Sequence, residues 1–502
     1  ITHESWIWGI DDSMIYKTYM KNLSTFGEFV YNEEGERVEG FTSILWTLIG
    51  SLFYYINNNP SYLFIFFNIL LVTIVLIKSL KLIEKKSFIS DINPFEVKIL
   101  FLMMIFLIPG FIEWNINSQL ETGLWTFLLF FNFQSINKNQ FFIFLLTGIS
   151  MIFTRPESYI IFPILIILFT INSKRKSHKF LISSFVFVTV VSILFLWRFN
   201  YFGYLFPNTY YAKVSLSLID NIIDGFKYIG IALINNPVLS ISSFISIIFF
   251  KRYFNISVLI LIPYLISLLV GGDHFGYSRI FQPFIIFNYL IIVYFCLDEL
   301  GGFIKKIKKS QKIYLCFITL IFITLIPRSG RLSQIMGRSQ IRHEWGISKS
   351  GFKNAQFFNT FFSNLIKYPS VGVITTGGFG YKYSGETIDL LGLNNTEMAH
   401  FSRIKKGLKN HGSFEESVFF KQLPDVLVSN GCNNCSLDKE NLLVTSSEYL
   451  RNIEKSQEFY KKYSFVYIEY KNQNMIRFFS NKFLETLPPM FKVTHLKHTF
   501  NN

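Results

Sequence analysis

The chain has 502 residues, 50% of them apolar, 18% aromatic and only 16% charged, with a mean hydropathy of +0.35. Apolar runs of bilayer-crossing length, ~17–25 residues, recur along it and exclude an ordinary soluble multidomain protein. The net charge of +15 does not signal nucleic acid, because much of it sits in short Lys/Arg clusters between the apolar runs, as cytoplasmic loops carry it.

The chain opens on Ile1 without the basic and apolar stretches of a signal peptide. Asp11 and Asp12 follow within a few residues, directly behind Trp6, Ile7 and Trp8. Adjacent carboxylates raise each other's pKa, which suits a general base near neutral pH. Acidic residues are equally at home in the first turn of a helix, so both readings stay open. The stretch 40–56 is apolar with polar ends and reads as a juxtamembrane or re-entrant helix, a full crossing being the alternative.

Apolar spans are expected near 61–83, 95–112, 119–134, 140–154, 157–171, 179–198, 234–250, 254–270, 279–297 and 311–327. The loops between them alternate in character. One set carries Lys85, Lys86, Lys138, Lys174, Arg175, Lys176, Lys179, Lys251, Arg252 and the lysines of 305–312. The positive-inside rule puts these in the cytoplasm. The other set is rich in acids, His, aromatics, Gly and Pro, and faces outward together with residues 1–40 if 40–56 does not cross.

The outward loops hold the chemistry. "EWNINSQLETG" supplies Glu113, Gln119 and Glu121. "TRPES" puts Arg155 and Glu157 around a helix-breaking proline, where charges are costly unless paired or facing a cavity. "FPNTYYAKVS" offers Asn208, Tyr210, Tyr211 and Lys213, fit for stacking a sugar and holding a phosphate, or for an interfacial aromatic belt. "GGDHFGYSRIFQP" is densest, with Asp273, His274 and Arg279 beside three glycines.

Residues 328–502 contain no span. "VGVITT", "DVLVSN" and "SFVYIEY" read as strands, and 352–366 and 446–462 as helices, giving a soluble α/β domain. "TTGGFGYKYSG" lacks a dinucleotide or P-loop spacing and reads as a strand-to-helix turn. The lone C-x-x-C, Cys432 and Cys435, has no second ligand pair for zinc and reads as a local disulfide.

"DDSMIYKTYMKN", "GERVEGFTSILWTLI", "EWNINSQLETGLW", "FTRPESYIIFP", "FGYLFPNTYYAKVS", "GGDHFGYSRIFQP" and "IDLLGLNNTEMAH" occur in one order. Together they resemble bacterial membrane glycosyltransferases of the GT-C fold, near the terminal arabinofuranosyltransferases. The resemblance covers most of residues 6–400. It implies a polytopic α-helical membrane protein with an extracytoplasmic C-terminal α/β domain. The parts are a first outer loop and juxtamembrane helix (1–60), a membrane domain of about ten spans (61–327) and the soluble domain (328–502). It also implies a family span ahead of the Asp pair that this chain lacks.

The resemblance further implies an inverting transfer from a polyprenyl-phosphate sugar to a glycan or glycolipid outside the cytoplasmic membrane, with the bilayer as partner and no nucleic acid. Asp11 or Asp12 would be the base. His274 and Arg279 would hold the donor phosphate, with Lys213 and Arg155 behind them. Glu39, Glu121, Asp273, Asn208, Tyr210, Tyr211 and His400 would line the substrate cavity. No metal site is assigned, and a divalent metal stays open as a cofactor. A flippase or transporter of lipid-linked glycans and a non-enzymatic envelope assembly protein are the competing readings.

Overall fold

The computed structural model describes residues 5–90, 92–173, 176–214, 217–303, 311, 338–401, 412, 414–429, 431–435, 442–444 and 447–500. It opens with α1 (Ser5–Trp8), α2 (Asp11–Phe26) and α3 (Ile44–Ile56). The two aspartates form the first turn of α2, where the helix dipole favours them. Gly27 ends that helix at φ 74°, a left-handed position that glycine adopts without strain. Ser43 caps α3 by accepting from the Trp46 backbone N–H. With 13 residues α3 is about 20 Å long. That is too short to cross a hydrocarbon core of ~30 Å.

The helices that follow are α4 (Ser61–Ile89), α5 (Pro94–Leu107), α6 (Thr122–Lys138), α7 (Phe141–Thr154), α8 (Ser158–Ile171) and α9 (Lys176–Phe202). Then come α10 (Asn208–Lys213), α11 (Leu218–Asn235), α12 (Pro237–Ile248), α13 (Phe254–Val270) and α14 (Ile285–Phe303). Among the described residues three segments are long and apolar enough to cross a membrane: Ser61–Ile89, Lys176–Phe202 and Arg279–Glu299. A fourth results if α11 and α12, bent by 107° at their junction, count as one broken span. The other expected spans within the described residues are shorter helices. Helices α7, α8 and α13 are apolar but have 14, 14 and 17 residues, roughly 21–26 Å. "TRPES" separates α7 from α8 as two helices. The expected span 311–327 lies outside the described residues.

The basic loops gather at one end of the bundle. There Lys86 pairs with Asp298 at 2.6 Å, Arg252 reaches Asp298 at 3.4 Å, and Lys179 donates to Asn139. Helices α4 and α13 connect that end with the other, where the first loop and the Gly-rich loop meet.

The C-terminal region is a mixed sheet with helices. Its strands are β1 (Val371–Val373), β2 (Thr387–Asp389), β3 (Val426–Leu427), β4 (Cys432–Asn433), β5 (Leu442–Val444), β6 (Tyr463–Tyr470), β7 (Gln473–Ser480), β8 (Lys492–His495) and β9 (His498–Phe500). The order is β2-β1-β3-β7-β6-β8, with β4 beside β7 and β5 pairing β9 separately. Strands β2, β1 and β3 run parallel and the others in that sheet antiparallel. The period of two along β6 sends Val466, Ile468 and Tyr470 to one core and Tyr463 and Phe465 to the other. Cys432 and Cys435 are joined as a disulfide.

Two helix expectations are corrected. The helix read at 352–366 is Arg338–Phe361, and Ile341 and Trp345 near its start join the core of the N-terminal helical region. The stretch 446–462 is two 3-10 turns followed by the short helix Gln457–Lys462.

Candidate functional site

A cavity of about 460 Å³ lies where the loops rich in acids, aromatics and Gly converge. Its charged lining is Asp12, Glu121, Glu157 and Asp273 against Arg155, Lys213 and Arg279, with His274 beside them. These groups come from the first turn of α2, the turn before α6, the α7–α8 break, the end of α10 and the loop after α13. On one flank the wall is apolar, formed by Ile160, Ile266, Leu269 and Val270.

Local structure fixes each wall. The Tyr16 hydroxyl accepts from the Thr42 and Ser43 backbone N–H groups and pins the first loop to α2. Asp389 accepts from the Leu391, Gly392 and Asn394 backbone N–H groups. That shapes "LLGLNN" into a tight loop whose Leu393 lines the cavity. The Gly-rich loop turns through left-handed backbone at Gly271, Gly272, Tyr277 and Ser278. Glycine accepts this freely, but at Tyr277 and Ser278 it costs energy, a frequent feature of functional loops.

The charges are unequally committed. Arg155 is saturated, donating to Glu121 at 2.6 Å and to both oxygens of Glu157 at 2.6 and 3.0 Å. Arg279 uses Nε on Asp273 at 2.6 Å and packs over Phe275 and Trp114. Burial would raise the Asp273 carboxyl, but Arg279, then His274 and Lys213, outweigh it and hold the group below the usual range. Asp12 has a single charged partner within ion-pair distance among the described residues, Lys213 at 3.8 Å, and its side chain is 27% exposed. It is the least committed carboxylate of the cavity, and Lys213 is the least committed cation.

The expected site residues therefore divide. Asp12, Glu121, Arg155, Tyr210, Lys213, Asp273, His274 and Arg279 share the cavity. Asp11, Glu39, Asn208, Tyr211 and His400 are not among its lining. The buried Asp11 carboxylate accepts from the Gly377 and Gly378 backbone N–H groups at 3.0 and 2.8 Å, capping the Thr376–Lys382 helix of the C-terminal region. Burial lifts it to about 6, more than the two N–H bonds lower it. Glu39 is buried in a bidentate pair with Arg198, which in turn donates to the Tyr159 hydroxyl at 2.5 Å. Tyr159 does line the cavity, so this pair acts from behind the wall. The Asn208 side chain holds the Gly392 and Leu393 carbonyls. His400 is stacked on Tyr204 and close to Tyr211.

Two contributors escaped the sequence reading. Asp389 sits in a quoted motif, but only the fold shows that it organises a wall. Glu344, on the Arg338–Phe361 helix, lies within electrostatic reach of Asp12, Asp11, Arg279 and Lys213. Burial, then Asp12 and Asp11, push its carboxyl up to about 7. No local pattern marks it, because it precedes the stretch 352–366 that reads as a helix in the sequence. Among the described residues no three His, Cys, Asp or Glu side chains converge as metal ligands. The chain matches no family model, no curated protein and no solved structure.

Proposed function

We propose that the chain is an integral-membrane glycosyltransferase of bacteria. It moves a sugar from a polyprenyl-phosphate donor to a hydroxyl of a cell-surface glycan or glycolipid on the extracytoplasmic face. The observation that carries this reading is that Asp12, the least committed carboxylate, shares one cavity with Lys213 and Arg279. Its volume of about 460 Å³ is ligand-sized, and its apolar flank suits a lipid chain. The positive-inside bias of the gathered basic loops supports putting the cavity outside.

Asp12 takes the proton of the acceptor hydroxyl as that oxygen attacks the anomeric carbon. The bond from anomeric carbon to phosphate oxygen breaks with inversion. Lys213 and the free end of the Arg279 guanidinium receive the negative charge that develops on the leaving polyprenyl phosphate. Binding of the donor phosphate to Lys213 also draws the ammonium away from Asp12, which frees the base. Arg155, held by two carboxylates, shapes the wall instead of binding phosphate.

The test is incubation of the bilayer-reconstituted protein with a panel of polyprenyl-phosphate sugars and an envelope glycan extract, read by mass spectrometry. Released polyprenyl phosphate with a glycosylated product supports the reading. Movement of labelled lipid-linked glycan across the bilayer with no transfer supports a transporter instead.

A further inference from the structure

A second cavity of about 260 Å³ opens beside the first, between the Gly-rich loop and the Arg338–Phe361 helix. His274 lines both. Its other lining includes Trp114, Phe275 and Tyr277 from the membrane side, and His343 and Glu344 from the C-terminal region. Among the described residues no Lys or Arg lines it. Glu344 has no ion pair among the described residues.

We infer that this second cavity is the acceptor subsite and binds a neutral glycan, with Glu344, His343 and His274 contacting sugar hydroxyls between aromatic walls. This rests on the transferase reading and deepens it. Charge divides the two ligands. The first cavity is lined by Lys213 and Arg279 for an anionic donor, whereas the second is lined by Glu344, which has no cation at ion-pair distance among the described residues and so disfavours an anion. A neutral polyol offers hydrogen-bond partners to a carboxyl that is engaged in no ion pair among the described residues. Aromatic lining with a few polar groups is the usual make-up of a small-ligand site. His274 then stands at the junction, on the side from which an acceptor hydroxyl reaches Asp12. The raised protonation of Glu344 fits a half-buried carboxyl on which burial, Asp12 and Asp11 outweigh the more distant Arg279 and Lys213.

The experiment uses the full chain in nanodiscs. Saturation-transfer NMR with defined neutral and uronic-acid oligosaccharides, without donor, measures glycan binding, and E344Q and H343C are compared with the unaltered chain. H343C is also treated with a bulky thiol reagent, with the identically treated unaltered chain as control. At least one neutral oligosaccharide should bind. E344Q and the labelled H343C should each weaken it about tenfold or more, a loss of about 1.4 kcal/mol. Binding of a polyprenyl phosphate should stay within about twofold. Glycan binding untouched by both changes, preference for the acidic oligosaccharides, or no binding by the unaltered chain overturns the subsite. Label-sensitive glycan binding without any donor turnover overturns the transferase reading and leaves the subsite standing.

Discussion

Asp12 and Lys213 face each other at 3.8 Å across a cavity whose other charges are tightly paired. That looseness sets the first expectation. D12N should lower sugar transfer by about 10²–10⁴-fold, the usual contribution of a general base. Donor binding and thermal stability should hardly change, because the Asp12 side chain makes no hydrogen bond among the described residues and its one ion pair is long. Turnover by mass spectrometry and donor titration check this, and full activity in D12N would remove Asp12 from the mechanism.

Lys213 and Arg279 should behave as phosphate contacts. K213Q and R279Q should each raise the donor KM about tenfold or more, since a charge-assisted hydrogen bond is worth ~1.5–3 kcal/mol. R155Q should act differently. It strands Glu121 and Glu157 and should destabilise the fold before it alters donor affinity. Steady-state kinetics beside unfolding curves separate the two patterns.

Asp11 should prove structural. D11A leaves two buried glycine N–H groups without their acceptor, which costs about 1–2 kcal/mol as for other helix caps. The loss should appear as faster hydrogen exchange at 376–382. The pH dependence has a definite sign. The folded Asp11 carboxyl titrates at about 6, above its ordinary 3.8. Its contribution to stability is therefore full below about pH 4 and lost as pH rises through 6. D11A should remove that part of the slope. An unchanged pH profile of unfolding would contradict the assignment.

Glu39 and Arg198, with side chains 2% and 1% exposed, form a buried pair that braces Tyr159. Removing one partner strands a buried charge, so E39A and R198A should each cost ~3–5 kcal/mol. The double apolar replacement E39L/R198M should recover most of this. Denaturation of the four-member cycle measures the coupling, and additive losses would refute it.

Glu344 should be retained at a cost. Its folded carboxyl titrates at about 7, above the ordinary 4.5. Whatever it contributes to stability is thus present at low pH and lost as pH rises through 7. E344Q should melt at a higher temperature than the unaltered chain near pH 8, and the two should coincide near pH 4.5. Coincidence at both pH values would show that burial does not strain this carboxyl.

The site was more legible in the sequence than the lengths of the apolar helices. Arg279 and Asp273 lie six residues apart in one loop, so their pairing is nearly local. The convergence of Asp12, Lys213 and His274 was suggested only by motif order, since no periodicity links residues 12, 213 and 274. The break at "TRPES" was legible from Pro156, and the structure keeps two separate helices there. The two aspartates were indistinguishable as neighbours. On a helix, adjacent side chains point about 100° apart. One turns to the C-terminal region and the other to the cavity, and only a tertiary contact decides which. Asp389 and Glu344 were unreadable for the same reason.

The Asp11 contact with Gly377 and Gly378 joins residues 366 and 367 positions apart. A ribosome adds about 5–20 residues per second, so the first turn of α2 waits tens of seconds for the turn that receives it. Asp12, one residue on, sits in a helix turn that this distant contact helps to anchor. A chain stopped before residue 377 would lack that anchor. Under the proposed function, such a chain would hold its base less firmly, so competence waits for the C-terminal region to fold.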